Sequence, residues 1–467
     1  MQNESTSSQT GEQQTGKQRT EGQPGGEQEG VESLVGREYE VEVGPVAHGG
    51  HCIARTDEGQ VLFVRHTLPG EKIVARVTEG ASDSRFLRAD AVTVIEASKD
   101  RVEAPCPYAG PGKCGGCDWQ HAKPGAQRRL KGEVIAEQLQ RLAGLTPEEA
   151  GWDGTVMPAE GDKVPPGEVP AWRTRVQYAI DEDGLAGLRK HRSHEIQPID
   201  RCLIAAPGVS ELGIEKQDWP QMAAVEAIAA TGSHDRQVIL TPRPGGRLPL
   251  VELDKPVSVL RVEEKDGGVH RVHGRAFVRE RADDRTYRVG SGGFWQIHPQ
   301  AADTLVRAVM QGLLPRKNDM ALDLYCGVGL FAGAIGQRIG EKGAVLGIES
   351  GKRAVEDARH NLKDLDRVRI EHGKVDQVLP RTGITECDLI VLDPPRAGAG
   401  KATVKHLASL GARRIAYVAC DPAALARDLA YFRDGGYKVR TLRAFDLFPM
   451  TSHVECVAIL EPAVKGA

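Results

Sequence analysis

ALDLYCGVGLFAGAIG, residues 321–336, decides the architecture of this chain. Ala321–Leu324 is an apolar run that breaks into a turn holding Gly327 and Gly329 and then into a segment of helical composition. The alternation repeats downstream. AVLGIE (344–349), RVRIE (367–371), DLIVLD (388–393), RRIAYVA (413–419), KVRTLRAFD (438–446) and HVECVAIL (453–460) are β-type runs, with SGKRAVEDARHNL and PAALARDLAYF as helices among them. Strands apolar on both faces and separated by helices form a mostly parallel sheet covered on both sides, an α/β fold. Ligands of such sheets bind beyond the carboxyl ends of the strands, so the residues directly after each run are the candidate functional residues.

Upstream the composition changes. The chain has 467 residues, of which 40% are apolar and 27% charged, which excludes wholesale disorder and fibrous repeats and leaves room for about three domains. Residues 1–35 carry almost no large apolar side chain and are expected to be a disordered tail. Residues 36–97 hold short β-type runs separated by Gly, Pro and Asp, the pattern of a small β-barrel. Residues 98–290 form a middle segment, and residues 291–467 carry the sheet. In the middle segment, QRRLKGEVIAEQLQRLAGL has a helical stripe with Arg128, Arg129 and Lys131 at its start, either a solvated face or a phosphate contact. Arg173, Arg175, Arg189, Lys190, His191, Arg192 and His194 are the densest basic group and the best candidate for a surface that tracks a nucleic-acid backbone. The formal charge of −4 excludes a global basic field. No apolar run is long enough to span a membrane and no signal peptide is evident, so a cytoplasmic protein with reduced cysteines is expected.

The strand ends suggest chemistry. The glycines after Leu324 let the backbone approach a ligand, and Glu349 ends the second run where a carboxylate can accept hydrogen bonds from a ribose, so a nucleoside cofactor is expected. Asp393-Pro394-Pro395-Arg396 is a rigid turn at the fourth strand end, as expected beside a target base in methyl transfer. Cys420 ends the fifth run next to a helix start, which favours thiolate and a nucleophilic role. Carbon 5 of uracil is too poor a nucleophile to take a methyl group directly; a thiolate added at C6 activates it, and a base must then remove the C5 proton. Glu455, a lone carboxylate in an apolar run, is the candidate base. Cys326, Cys387 and Cys456 read as inert buried thiols. Phe294 and Trp295 are candidates for a base-stacking surface, with core packing preferred for at least one of them.

GGFWQIHPQ, LDLYCGVGLFA, LIVLDPPRAG, YVACDPAALARDL, HVECVAIL and CPYAGPGKCGGCDWQH together resemble the RNA uridine C5-methyltransferase family, over the chain from about Arg37 to Pro462. The resemblance implies a Rossmann-like class I methyltransferase sheet, an N-terminal TRAM barrel of OB-like form and a central α+β domain that bears an iron–sulfur cluster and binds RNA. It implies Cys420 as nucleophile, Glu455 as base, and Gln296, Tyr325, Glu349 and Asp393 around S-adenosylmethionine. The RNA partner would be ribosomal RNA, most of all 23S, or transfer RNA, and the enzyme a monomer. His298 stands where the family usually has Asn, and Leu330 where some members have a polar residue. Cys106, Cys114, Cys117 and Cys202 match the ligands of a [4Fe-4S] cluster; by spacing alone the four thiolates suit zinc equally, and the gap between Cys106 and Cys114 is longer than is common in the family. Two other readings are a methyltransferase acting on an exocyclic base nitrogen, from the likeness of Asp393-Pro394-Pro395 to such turns, and a non-catalytic TRAM-type RNA-binding protein.

Overall fold

The computed structural model describes residues 32–463 apart from residues 163, 164, 166 and 266. Residues 1–31 of the expected tail lie outside the described residues. Strands β1 (Glu38–Val46), β2 (Cys52–Arg55), β3 (Val61–Arg65), β4 (Lys72–Glu79) and β5 (Leu87–Glu96) close into a barrel in the order β1-β2-β3-β5-β4. Period-two alternation aims Val41, Val43, Leu62, Val64, Ile73 and Leu87 inward, where they are buried, and closure removes the exposed edges.

Helix α1 (Pro124–Gln138) and strand β6 (Val156–Pro158) follow. Both lie in the segment read as a middle domain, yet they pack with the C-terminal sheet: Ile135, Leu139, Trp152 and Val156 share a core with Leu322, Leu392 and Tyr417. The apolar stripe of α1 told which face is buried but not against what. Lys131 in that helix is fully buried and donates to Asp446 Oδ1 at 2.5 Å and to the Phe448 carbonyl at 3.1 Å, while Arg129 pairs with Asp100 at 2.6 Å. Lys131 clamps the fold and is no phosphate contact, whereas Arg129 pairs with Asp100 at the surface with half of its side chain exposed.

Strands β7 (Arg175–Ile180), β8 (Ala186–Arg189) and β9 (Ile196–Pro198), the short helix α2 (Pro207–Ser210), and strands β10 (Met222–Ala229), β11 (Arg236–Pro242), β12 (Ser258–Val262) and β13 (Val269–His273) make a seven-stranded sheet ordered β13-β12-β11-β10-β7-β8-β9. It has its own core around Tyr178, Trp219 and Met222. The hairpin β14 (Phe277–Ala282) and β15 (Arg285–Gly290) then joins it to the C-terminal unit.

That unit comprises α3 (Ala301–Leu313), β16 (Met320–Leu324), α4 (Leu330–Ile339), β17 (Ala344–Glu349), α5 (Lys352–Asn361), β18 (Val368–His372), α6 (Val375–Val378), β19 (Leu389–Leu392), α7 (Lys401–Ser409), β20 (Arg414–Ala419), α8 (Pro422–Asp434), β21 (Tyr437–Asp446) and β22 (Glu455–Pro462). Its eight-stranded sheet runs β18-β17-β16-β19-β20-β22-β21-β6, the first five strands parallel and β22 antiparallel to β20. Helices α3, α4 and α5 contribute to the core on one face, and α1, α7 and α8 to that on the other, as the apolar runs imply. Among the described residues no helix is long and apolar enough to cross a membrane.

Candidate active site

Each of the first five strands delivers its carboxyl end to one edge of the sheet, and β22, running the other way, delivers its first residue there. Ala419 pairs with Cys456 across β20 and β22, so Cys420 and Glu455 sit side by side one step beyond. A cavity of about 1490 Å³ opens at this edge, and Gln296, Tyr325, Glu349, Asp393, Cys420 and Glu455 all line it. All six side chains singled out around the reaction therefore meet at one place.

The turn after β16 is built for close approach. Tyr325 holds a left-handed backbone at φ 61°, and Gly329 at φ 92° lies where a Cβ would meet Leu362 Cδ1 at 2.6 Å. Glu349 is oriented by backbone donors: Gly327 N–H donates to Oε2 at 3.1 Å and Gly351 N–H to Oε1 at 2.6 Å. A carboxylate held this way keeps lone pairs for a ribose. Asp323, which the sequence reading passed over, is fully buried and accepts from Ala332 N–H at 2.6 Å, while its Oδ1 has no partner. Burial pushes its carboxyl well above the usual range.

The reacting edge is rich in acid. Burial raises Asp393 to about 7 and pushes Glu455 well above its ordinary value, the more so because Asp393 lies beside it. Cys420 is pushed up to about 11, by burial first and then by the charges of Glu455, Asp393 and Asp421, with Arg396 opposing. This corrects the thiolate expected from the helix start. Asp421 caps α8 itself, accepting from Ala424 N–H at 2.8 Å, and thus places a carboxylate where the positive end of the helix was expected to act. The barrel reaches the same residue: Asp421 Oδ2 pairs with His48 Nε2 at 3.1 Å.

Arg396 and His453, paired at 3.3 Å, also line the cavity; only the turn motif pointed to the first and nothing to the second. Phe294 is 66% exposed on the cavity wall, whereas Trp295 packs on Tyr287 with ring centres 5.4 Å apart in the core. His298 is buried; its Nδ1 accepts from Gln300 N–H, so Nε2 carries the proton facing Asp162 at 3.1 Å, and the ring stacks on Trp172. The basic group of the middle segment is mostly spent in pairs: Arg175 with Glu226 at 2.7 Å, Lys190 with Glu195 at 2.7 Å, Arg192 with Glu79 at 3.4 Å, and Arg189 with His194. Of that group, Arg173 and His191 reach the cavity.

Cys106, Cys114, Cys117 and Cys202 lie near one another; Cys117 and Cys202 touch the core formed by Trp172, Ile204 and Met450. Burial pushes Cys202 up to about 11 and Cys117 higher, with the neighbouring thiols adding to it. Among the described residues no three His, Cys, Asp or Glu side chains are gathered tightly enough to hold a metal ion, so the four sulfurs are not arranged as a closed coordination sphere. Cys326, Cys387 and Cys456 are buried, as expected of inert thiols.

With this geometry in hand, the chain can be set beside known proteins. Residues 32–92 match the TRAM domain and residues 381–463, which include Asp393, Cys420 and Glu455, match the tRNA (uracil-5-)-methyltransferase family. A protein of Streptomyces coelicolor named as an RNA methyltransferase is 84% identical over 93% of this chain and 95% of its own length. Another from Bifidobacterium longum is 33% identical, covering 90% and 96% of the two chains. The chain belongs to the RNA methyltransferase family of these relatives. A further relative, the 23S rRNA (uracil(1939)-C(5))-methyltransferase of Acinetobacter baumannii, is 29% identical over 91% of this chain and 96% of its own. The fold agrees with that of the Pyrococcus abyssi tRNA (uracil-54, C5)-methyltransferase, solved with S-adenosyl-L-homocysteine: TM-score 0.66 at 24% identity, over 90% of this chain and all of the other. Membership sets aside the reading as a non-catalytic RNA-binding protein.

Proposed function

We propose that this enzyme transfers a methyl group from S-adenosylmethionine to C5 of a uridine in structured RNA, through a covalent bond between the Cys420 sulfur and C6 of the base. The observation that carries this is the meeting of Cys420, Glu455, Asp393, Gln296, Tyr325 and Glu349 on one cavity. Tyr325, Glu349 and Gln296 would hold the donor, with Glu349 on the ribose. When bound, S-adenosylmethionine would supply a methyl group on a sulfonium.

The proton economy follows from the carboxyl pair. Asp393, ionised above about pH 7, takes the Cys420 proton as the sulfur bonds to C6. The C5–C6 π electrons move toward O4, and Glu455, kept protonated by burial, gives its proton to that oxygen. Carbon 5 then takes the methyl group as the O4 proton is lost to solvent. Glu455, now a carboxylate, removes the C5 proton, the C5–C6 double bond reforms, and the expelled thiolate recovers its proton from Asp393. One proton is released for each methyl group transferred. The target base has to leave its stack to reach Cys420, and Phe294, exposed on the cavity wall, offers it a face.

Ribosomal RNA, 23S above all, is the preferred substrate and transfer RNA the alternative; the relatives named above act on one or the other. The barrel contributes Gly49 to the cavity wall, which supports RNA contact by the TRAM domain. For Cys106, Cys114, Cys117 and Cys202 the donor set of four thiols supports a [4Fe-4S] cluster, whose contribution would be a rigid cross-link in the loop beside the cavity. Anaerobic purification should yield four irons with acid-labile sulfide; a colourless protein with one zinc would overturn this. For the nucleophile, Cys420→Ala should abolish tritiated methyl transfer to RNA from cells lacking the gene and the denaturant-resistant adduct with 5-fluorouridine RNA. Retained turnover would refute the assignment.

A further inference from the structure

The outer surface of the barrel carries a row of rings that its core does not need. Leu62, Val64 and Leu87 fill the interior, whereas Phe63 and Phe86 belong to no buried cluster and Phe86 is 39% exposed. The rings follow one another from the cavity outward. His191, on the cavity wall, meets His51 with centres 6.0 Å apart; His51 meets Phe63 at 6.4 Å; Phe63 meets Phe86 at 5.2 Å; and the Arg88 guanidinium lies 5.5 Å over the Phe86 ring. His51 follows the β1–β2 turn, Phe63 is on β3 opposite Arg88 of β5, and Phe86 ends the β4–β5 connection. In five-stranded barrels of this order, the face of strands 2 and 3 with the loops joining strands 1 to 2 and 4 to 5 is the one suited to single-stranded nucleic acid.

Two further features fit an RNA strand. Arg65, Arg88 and Arg192 lie beside the row; Arg88 and Arg192 both face Glu79, at 3.6 and 3.4 Å, while Arg65 is buried with Nη2 lacking a hydrogen-bond partner and 3.9 Å from Asp118. Arg65, after burial, helps hold His51 and His191 near pKa 4, so both imidazoles are neutral stacking faces at physiological pH. The row is also fixed relative to Cys420. Gly50 packs against Ser452 so closely that a Cβ would fall 2.6 Å from its Cβ, and Trp119 Nε1 donates to the Gly50 carbonyl at 3.1 Å.

We propose that His191, His51, Phe63 and Phe86 form a stacking platform for unpaired bases of the same RNA strand whose uridine enters the cavity. The proposal rests on the RNA-methyltransferase reading and extends it: the substrate presents a run of unpaired bases beside its target, and the barrel recognises bases by stacking while its net acidity limits its hold on the phosphates. Stacking on one such ring is worth about 5- to 150-fold in affinity.

The test is fluorescence anisotropy with a fluorescein-labelled mixed-sequence RNA hexamer and an abasic hexamer of equal length, on the full chain. The wild type should prefer the hexamer with bases; Phe86→Ala should weaken that hexamer by about 5- to 150-fold and leave the abasic one unchanged; Phe86→Tyr should restore it. Equal affinity of Phe86→Ala and wild type, or equal losses on both hexamers, would overturn the platform. Absence of methyl transfer by the wild type would instead overturn the function it rests on, and the hexamer assay is independent of that.

Discussion

The proposed attack on a pyrimidine by a thiol set among carboxyl groups makes a measurable claim. Cys420 is pushed up to about 11 from an ordinary 9.0. At pH 7 the thiolate fraction is then roughly 10⁻⁴ against roughly 10⁻² for an ordinary thiol, a ~100-fold deficit. Greater intrinsic nucleophilicity of the more basic sulfur returns about 6- to 10-fold of this, at a Brønsted slope of about 0.4–0.5 over two units. Iodoacetamide should therefore label Cys420 in the folded, RNA-free enzyme about 10- to 20-fold more slowly than the same peptide in the denatured chain. The rate, followed by mass spectrometry of the Cys420 peptide, should climb tenfold per pH unit from 6 to 10. Arg396→Ala should slow it further, because Arg396 is the cation that opposes the rise. A plateau below pH 8 would mean a preformed thiolate and would refute the electrostatic reasoning.

Two further outcomes follow from buried charge. Asp393 binds its proton more tightly folded (about 7) than unfolded (3.8), so its stabilising contribution is full below 3.8 and lost as pH rises through 7. Three units correspond to about 4 kcal/mol, reduced to about 2 by water in the cavity, and Asp393→Asn should flatten the fall in unfolding free energy between pH 4 and 8 by that amount in chemical denaturation. Lys131→Met leaves Asp446 buried without its partner and should cost about 3–5 kcal/mol, whereas the double variant with Asp446→Leu should recover most of the loss; a double as unstable as the single would show that the pair is not the cause.

The sheet and its functional edge were legible because both depend on local pattern. Apolar runs mark the strands, strand ends mark the ligand edge, and that edge gathers Tyr325, Glu349, Asp393, Cys420 and Glu455 without any knowledge of packing. What escaped was set by contacts distant in sequence. The stripe of α1 could not reveal that its partner is a sheet nearly two hundred residues away. Lys131 read as a surface charge or phosphate contact because Asp446 cannot be seen from its own helix. The state of Cys420 was misjudged for the same reason: the helix start is visible in Asp421-Pro422, but the carboxylates around the sulfur arrive from three separate segments.

Those carboxylates bear on the order of events. Cys420, Asp393 and Glu455 all favour their protonated forms, and each ionisation makes the next harder. A cation entering the cavity lowers all three together, most strongly where burial excludes screening water. The free enzyme thus keeps its sulfur as a thiol, poorly reactive toward oxidants and stray electrophiles. On the proposed mechanism the sulfur becomes competent when positive charge and a base fill the cavity at once. Glu455 opens the antiparallel strand, which brings its buried carboxyl to the same edge as Cys420; on the proposed mechanism that burial favours its protonated form until the base can accept the proton.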